Sequence, residues 1–231
     1  MNYRLLGAFR AAFHGRPYYH RNQTIGNFIA SHLYEDLFGL SRSEKLQEGV
    51  HDSRLVVNTS NIIKGRKGRR GDGTFGELIP GEEPQSETGF RVLRGPVASI
   101  LIGAEVKILA KSMIKQIDRV INDLLSQART FREQTGKAIT VGIVGVNFSD
   151  NYTSYEGNRT YPADPPPSRE APTAVDRLTH AVGKAFDELL VLRFRATNVS
   201  PYPFEWVNER ETAQAYGAAL LRISDLFNQR S

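Results

Sequence analysis

The chain has 231 residues, with 30 Lys and Arg against 25 Asp and Glu, a formal net charge of +5. That length suits one α/β domain with a sizeable core, and the basic balance favours a polyanionic partner. Cysteine is absent, which excludes disulfide scaffolds, zinc ribbons, thiol nucleophiles and iron–sulfur clusters together, so any metal must be held by oxygen or histidine.

Apolar residues at Ile25, Phe28, Ile29, Leu33 and Leu37 recur at helical spacing, predicting a helix over 24–40 that carries Glu35 and Asp36. Residues 54–57 and 62–63 read as extended pieces. Next comes a run with five positive charges in seven residues, Lys64, Arg66, Lys67, Arg69 and Arg70, read as an exposed basic loop. Asp72 follows at the start of a predicted strand over 74–79, and Pro80-Gly81 turns the chain. Strands are predicted at 90–93 and over 97–107, the latter opening on a long apolar run that suits a central position in a sheet.

A long amphipathic helix over 113–131 is marked by Met113, Ile117, Val120, Leu124, Ala128 and Phe131, and Gly136 is placed to end it. Lys111, Lys115 and Arg119 fall away from its apolar face. A second core strand over 138–146 completes a strand–helix–strand unit compatible with a parallel crossover. Residues 149–172, rich in Tyr, Asn, Gly and Pro, read as a long loop. A helix over 173–188, a strand over 189–195 and a helix over 211–227 follow. We read one domain over 1–231, with a core over about 24–146 and a C-terminal elaboration over about 173–231. No segment is apolar enough for a secretory signal or a membrane span, and a cytoplasmic location is expected.

The chemistry is concentrated in Glu105-Val106-Lys107. In a strand, residues two apart project to the same side, so a carboxylate and an ammonium stand together at the end of a strongly apolar segment. Burying both there is costly without a partner, a metal or access to a cleft. Phosphodiester hydrolysis needs a cation that two carboxylates can hold and a positive group for the developing charge. Asp72 is the candidate second carboxylate, with Glu77 and Glu87 as rivals. The basic residues Lys64, Arg66, Lys67, Arg69 and Arg70 before Asp72, together with Lys111 and Lys115, are candidate contacts to nucleic-acid phosphates.

Other patterns carry less. The five histidines lack metal-ligand spacing, and Gly71-x-Gly73-x-x-Gly76 does not open a helix as a dinucleotide fingerprint must. Tyr161, Tyr202, Phe204 and Trp206 are expected to pack over a core edge rather than stack on bases.

Asp72, a 32-residue spacer, then Glu105-Val106-Lys107 at the end of an apolar strand resembles the signature of the PD-(D/E)XK, or restriction-endonuclease-like, nuclease superfamily. The resemblance implies an α/β fold in which a central mixed β-sheet is flanked by helices. Its core would be a glutamate-bearing helix, three antiparallel strands carrying the Asp and the Glu-x-Lys, a helix and a further strand. It implies a Mg2+-dependent endonuclease acting on DNA, as a type II restriction enzyme or antiphage defence nuclease; cutting two strands of opposite polarity is simplest with symmetry-related sites, so a homodimer or higher homo-oligomer is expected. Asp72, Glu105 and Lys107 would be catalytic, with Asp72, Glu105 and Val106 around the metal and Glu35, or its neighbour Asp36, joining from the first helix. Here a glycine, Gly71, precedes Asp72 instead of the family's proline. The competing readings are a non-catalytic nucleic-acid-binding or scaffold protein on the same fold, and an exonuclease or repair nuclease.

Overall fold

A computed structural model describes residues 3–20, 24–58, 62–63, 66–67, 71–156 and 159–230. In chain order the elements are α1 (Arg4–Ala11), α2 (Thr24–Leu40), α3 (Glu44–His51), β1 (Leu55–Asn58), β2 (Ile62–Ile63), β3 (Arg66–Lys67), β4 (Gly73–Leu78), β5 (Val97–Leu109), α4 (Met113–Thr135) and β6 (Ile139–Asn147). They continue with β7 (Thr153–Glu156), β8 (Arg159–Pro162), α5 (Pro167–Val182), β9 (Glu188–Ala196), β10 (Phe204–Trp206) and α6 (Glu209–Arg230).

The central sheet runs β1-β4-β5-β6-β9-β10. β4 runs antiparallel to both of its neighbours, β1 and β5; β5, β6 and β9 are parallel, and β10 returns antiparallel. Every residue of β6 is buried, as expected for a strand covered on both faces. The period of two sorts its side chains: Val141 and Ile143 join the core beneath α1, α2 and α6, whereas Val144 and Val146 join the core beneath α4 and α5. The protein is therefore an α/β sandwich with a mixed central sheet between two helical layers.

α1 has only eight residues, too few to hold by propensity alone, and its N-cap Tyr3 makes no side-chain cap. Asp36 supplies that function from α2, its carboxylate accepting the amides of Arg4 and Leu5, both at 2.9 Å, and the Tyr216 hydroxyl at 2.9 Å. Burial raises the carboxyl pKa of Asp36 against these hydrogen bonds. Asp36 is thus part of the packing between α1, α2 and α6, not a ligand in an open site.

The structure departs from three expectations. Residues 90–93 form no strand, because the amides of Arg91 and Val92 are taken by the Glu35 carboxylate at 3.0 and 2.8 Å rather than by a neighbouring strand. The segment over 149–172 is not one loop: it holds the β7–β8 hairpin and the first turn of α5. That helix begins at Pro167, where a fixed φ and a missing N–H are no handicap, and ends before 183, six residues earlier than its spacing suggests. Phe204 and Trp206 do pack over the core edge, with ring centroids 6.2 and 5.5 Å from Phe9.

Two histidines make stability sensitive to acid. His32 lies between Phe28 and Phe90, and His20 beside Tyr152; burial first, then Arg4 for His32 and Lys111 for His20, lower both pKa values to about 4. The fold favours their neutral forms, so between about pH 6.5 and 4 the unfolded chain binds more protons. Their stabilising contribution is full above pH 6.5 and is lost as pH falls toward 4. Denaturant midpoints measured from pH 7 to 5 should therefore fall, and His32→Asn should flatten that slope; an unchanged slope would remove His32 from the account.

Candidate active site

β5 outlasts its neighbour on one side. Pairing with β4 stops at Gly73↔Ala104, while pairing with β6 continues to Leu109↔Val146. From Glu105 onward, no strand among the described residues pairs with the β4-facing edge of β5. Asp72, next in register after Gly73, fills the first gap: its Oδ2 accepts the Val106 amide at 2.7 Å. A residue's N–H and C=O leave an extended strand on the same side, so the Val106 carbonyl is directed toward the same edge as Asp72.

Glu105 and Lys107 share a face, as their spacing requires. Lys107 Nζ lies 2.7 Å from Glu105 Oε1, with the glutamate side chain 5% exposed and the lysine 25%. The surroundings of the pair are built by close approach. A methyl at Gly103 would meet the Phe131 ring of α4 at 2.6 Å, and one at Gly71 would come within 3.0 Å of Glu105 Oε2. Gly71 also adopts a φ of +68°, which an L side chain resists, so a glycine stands where the family pattern has proline. On the other side of Asp72, the first turn of α2 approaches through Gly26, where a methyl would overlap the Asp72 carboxylate. Gly26→Ala should therefore displace Asp72 without removing a chemical group. We expect any Mg2+-dependent cleavage shown by the wild-type chain to fall at least about tenfold with the melting temperature little changed, since a displacement of about 1 Å at a reacting group can cost more than that. Full activity in this variant would mean that the carboxylate is not held in place by α2.

These residues open onto a cleft of about 1060 Å3. Asp72, Val106 and Lys107 line its floor, Lys111, Lys115, Arg119 and Asp123 come from the end of β5 and from α4, and Tyr18, His20 and Glu156 stand opposite. Lys115 and Arg119 are four apart on α4 and share a face. Lys111 is in the cleft but committed: its ammonium bonds Glu156 Oε1 at 2.8 Å and the Tyr161 hydroxyl at 2.6 Å. That ion pair holds the Glu156 carboxyl down at about 2.

Several expected participants are elsewhere. Glu35 does not line the cleft; it is fully buried against Arg4 and the backbone of residues 91–92, which corrects its placement as a metal ligand. Glu77 accepts from Ser99 at 2.8 Å and Glu87 from Arg94 at 2.6 Å, so neither replaces Asp72 beside Val106. In the basic loop, Lys64, Arg69 and Arg70 lie outside the described residues. Arg66 and Lys67 form β3, whose partner β2 meets β5 at Val97, eight residues from Glu105 and about 26 Å along the strand. The register therefore sets Arg66 and Lys67 toward the opposite end of β5.

Sequence reasoning passed over Gln127. It is fully buried on α4 with both amide atoms lacking a hydrogen-bond partner, one turn before Phe131. Phe131 covers Gly103, and α4 runs back along β5, so Gln127 stands over the Glu105 end of the strand. The signal available was a polar residue inside an otherwise apolar helical stripe.

Among the described residues, no group of three or more His, Asp or Glu side chains is gathered as a metal site. No helix among them is long and apolar enough to cross a membrane. The chain matches no protein-family model, no curated protein and no solved structure.

Proposed function

We propose that the chain is a Mg2+-dependent nuclease of restriction-endonuclease-like architecture that hydrolyses DNA phosphodiester bonds. The observation that carries this reading is the meeting of Asp72 with the Glu105-Val106-Lys107 segment at the floor of a cleft lined by cations. The succession of α2, the antiparallel strands β1, β4 and β5, then α4 and β6 supports it, since it follows the order that the resemblance implies.

The donor set suits a hard cation. Asp72 and Glu105 offer carboxylates and Val106 a carbonyl directed to the same edge, and Mg2+ is commonly held by one or two carboxylates with water completing its shell. Bound by these groups, the ion would neutralise phosphate charge and lower the pKa of an attacking water. Lys107 reaches the cleft from the same strand, orienting that water and stabilising charge on the phosphate. Lys115 and Arg119 hold flanking phosphates, a sequence-independent and salt-sensitive contribution. One chain carries one such centre, so cutting both strands of a duplex at one place calls for a homodimer, and restriction or antiphage defence is the setting we propose.

The test is incubation of the pure protein with plasmid, linear and single-stranded DNA, with Mg2+ and with EDTA. Cleavage of at least one substrate that requires Mg2+ is expected. No cleavage under any condition would leave a non-catalytic nucleic-acid-binding protein on this fold.

A further inference from the structure

Across the cleft from Lys107 stands a wall with no role in the chemistry proposed above. β7 and β8 form a two-stranded sheet separate from the central one, and all four residues of β8 are exposed. Such a hairpin is marginal alone and needs a reason to hold its place. The Thr153 amide ties its base to the Thr197 carbonyl at 2.9 Å, and the cleft holds the rest: Glu156 and Tyr161 grip Lys111 from either strand, and the Lys111 ammonium lies 4.3 Å from the centre of the Tyr161 ring. One large aromatic surface is left in water on this face: Tyr161 is 37% exposed.

An exposed tyrosine beside a cationic cleft matches a ligand with both phosphates and an accessible π-face. In a duplex the faces of the bases are covered by their neighbours, so base–aromatic stacking is open only to unpaired nucleotides. Because the Lys111 charge is offset by Glu156 and the Lys107 charge by Glu105, Lys115 and Arg119 are the cleft-lining cations that follow a backbone along the opposite wall.

We infer that the cleft takes its DNA as a single strand, with Tyr161 stacking an unpaired base while Lys115 and Arg119 follow the phosphates. The substrate class is then a strand end, a flap or a locally opened segment. This rests on the nuclease reading for its purpose but not for its measurement.

Binding in EDTA separates the two. Fluorescence anisotropy would compare labelled oligo(dT) of about 20 nucleotides, longer than one cleft, with a blunt duplex carrying the same number of phosphates. We expect the single strand to bind at least about tenfold tighter. Tyr161→Ala should weaken single-strand binding by about tenfold and leave duplex binding unchanged, whereas Tyr161→Phe, which keeps the ring, should stay within about twofold of wild type. Duplex binding equal to or tighter than single-strand binding would overturn the inference. So would a Tyr161→Phe loss as large as that of Tyr161→Ala, because the hydroxyl's grip on Lys111 would then explain both. If the wild-type chain cuts no DNA, the nuclease reading fails while the stacking result stands; if it cuts in Mg2+ and no strand preference is seen, the stacking wall fails alone.

Discussion

Replacing Lys107 by alanine should lower Mg2+-dependent DNA cleavage by at least about a thousandfold while DNA binding and the melting temperature change little. The ammonium is the positive group that reaches the cleft from the same strand as Glu105, the carboxylate proposed to hold the metal, and no neighbour duplicates it: Lys111 is bound to Glu156 and Tyr161, and Lys115 and Arg119 stand on a different element. Glu105→Gln should lose as much for a different reason. It keeps the shape of a side chain only 5% exposed but removes the negative charge that a divalent ion requires. Both substitutions break the Lys107–Glu105 pair, so loss of the pair alone could produce the same phenotype. Lys107→Arg resolves this. Arginine preserves the positive charge and can still pair with Glu105, but its planar guanidinium cannot occupy the position of a compact ammonium, so pairing is retained and cleavage is not. Rates for all three should be read as single turnovers alongside melting curves. Undiminished cutting by either Lys107→Ala or Glu105→Gln would sink the assignment.

The central strand was legible because two patterns coincide in it. Residues 97–104 form a mostly apolar run of which Ala98, Ser99 and Leu101 keep partial exposure, and Glu105 and Lys107, two residues apart, mark where the strand reaches the cleft. α2 and α4 were readable from the 3.6 period, and Gly136 ends α4 with a φ of +66°. What stayed hidden depends on partners distant in sequence. α1 is held by a carboxylate 31 and 32 residues away, a relation no local window contains. Residues 90–93 alternate well enough for a strand, yet Glu35 claims their amides from 56 and 57 residues upstream. Tyr161 was grouped with Phe204 and Trp206 as an aromatic near proline. Phe204 packs into the core and Trp206 over its edge, while Tyr161 sits in an exposed hairpin strand, a difference set by topology and invisible in composition.

Glu35 is where sequence and structure disagree most usefully, because the two readings predict opposite phenotypes. As a metal ligand, its loss would abolish cleavage and spare the fold. In the structure its Oε1 accepts the amides of Arg91 and Val92 at 3.0 and 2.8 Å, and its Oε2 accepts from Arg4 Nη1 at 2.8 Å, with no exposure to solvent. One side chain thus fastens α1 and the segment over 91–92 to α2. Alanine would leave two amides and a guanidinium facing a cavity. Discounting the partly solvated arginines, we expect a loss of about 3 kcal/mol. For a chain of this size that lowers the melting temperature by roughly 6–12 °C. Glu35→Gln keeps a carbonyl oxygen for the two amides and should lose about half as much. Cleavage by folded Glu35→Ala, assayed well below its melting temperature, should remain within about threefold of wild type, since the meeting of Asp72 with the Val106 amide is built by α2's first turn and by β5 rather than by Glu35. Abolished cleavage with an unchanged melting temperature would return Glu35 to the active site and require α2 to turn in the complex with DNA.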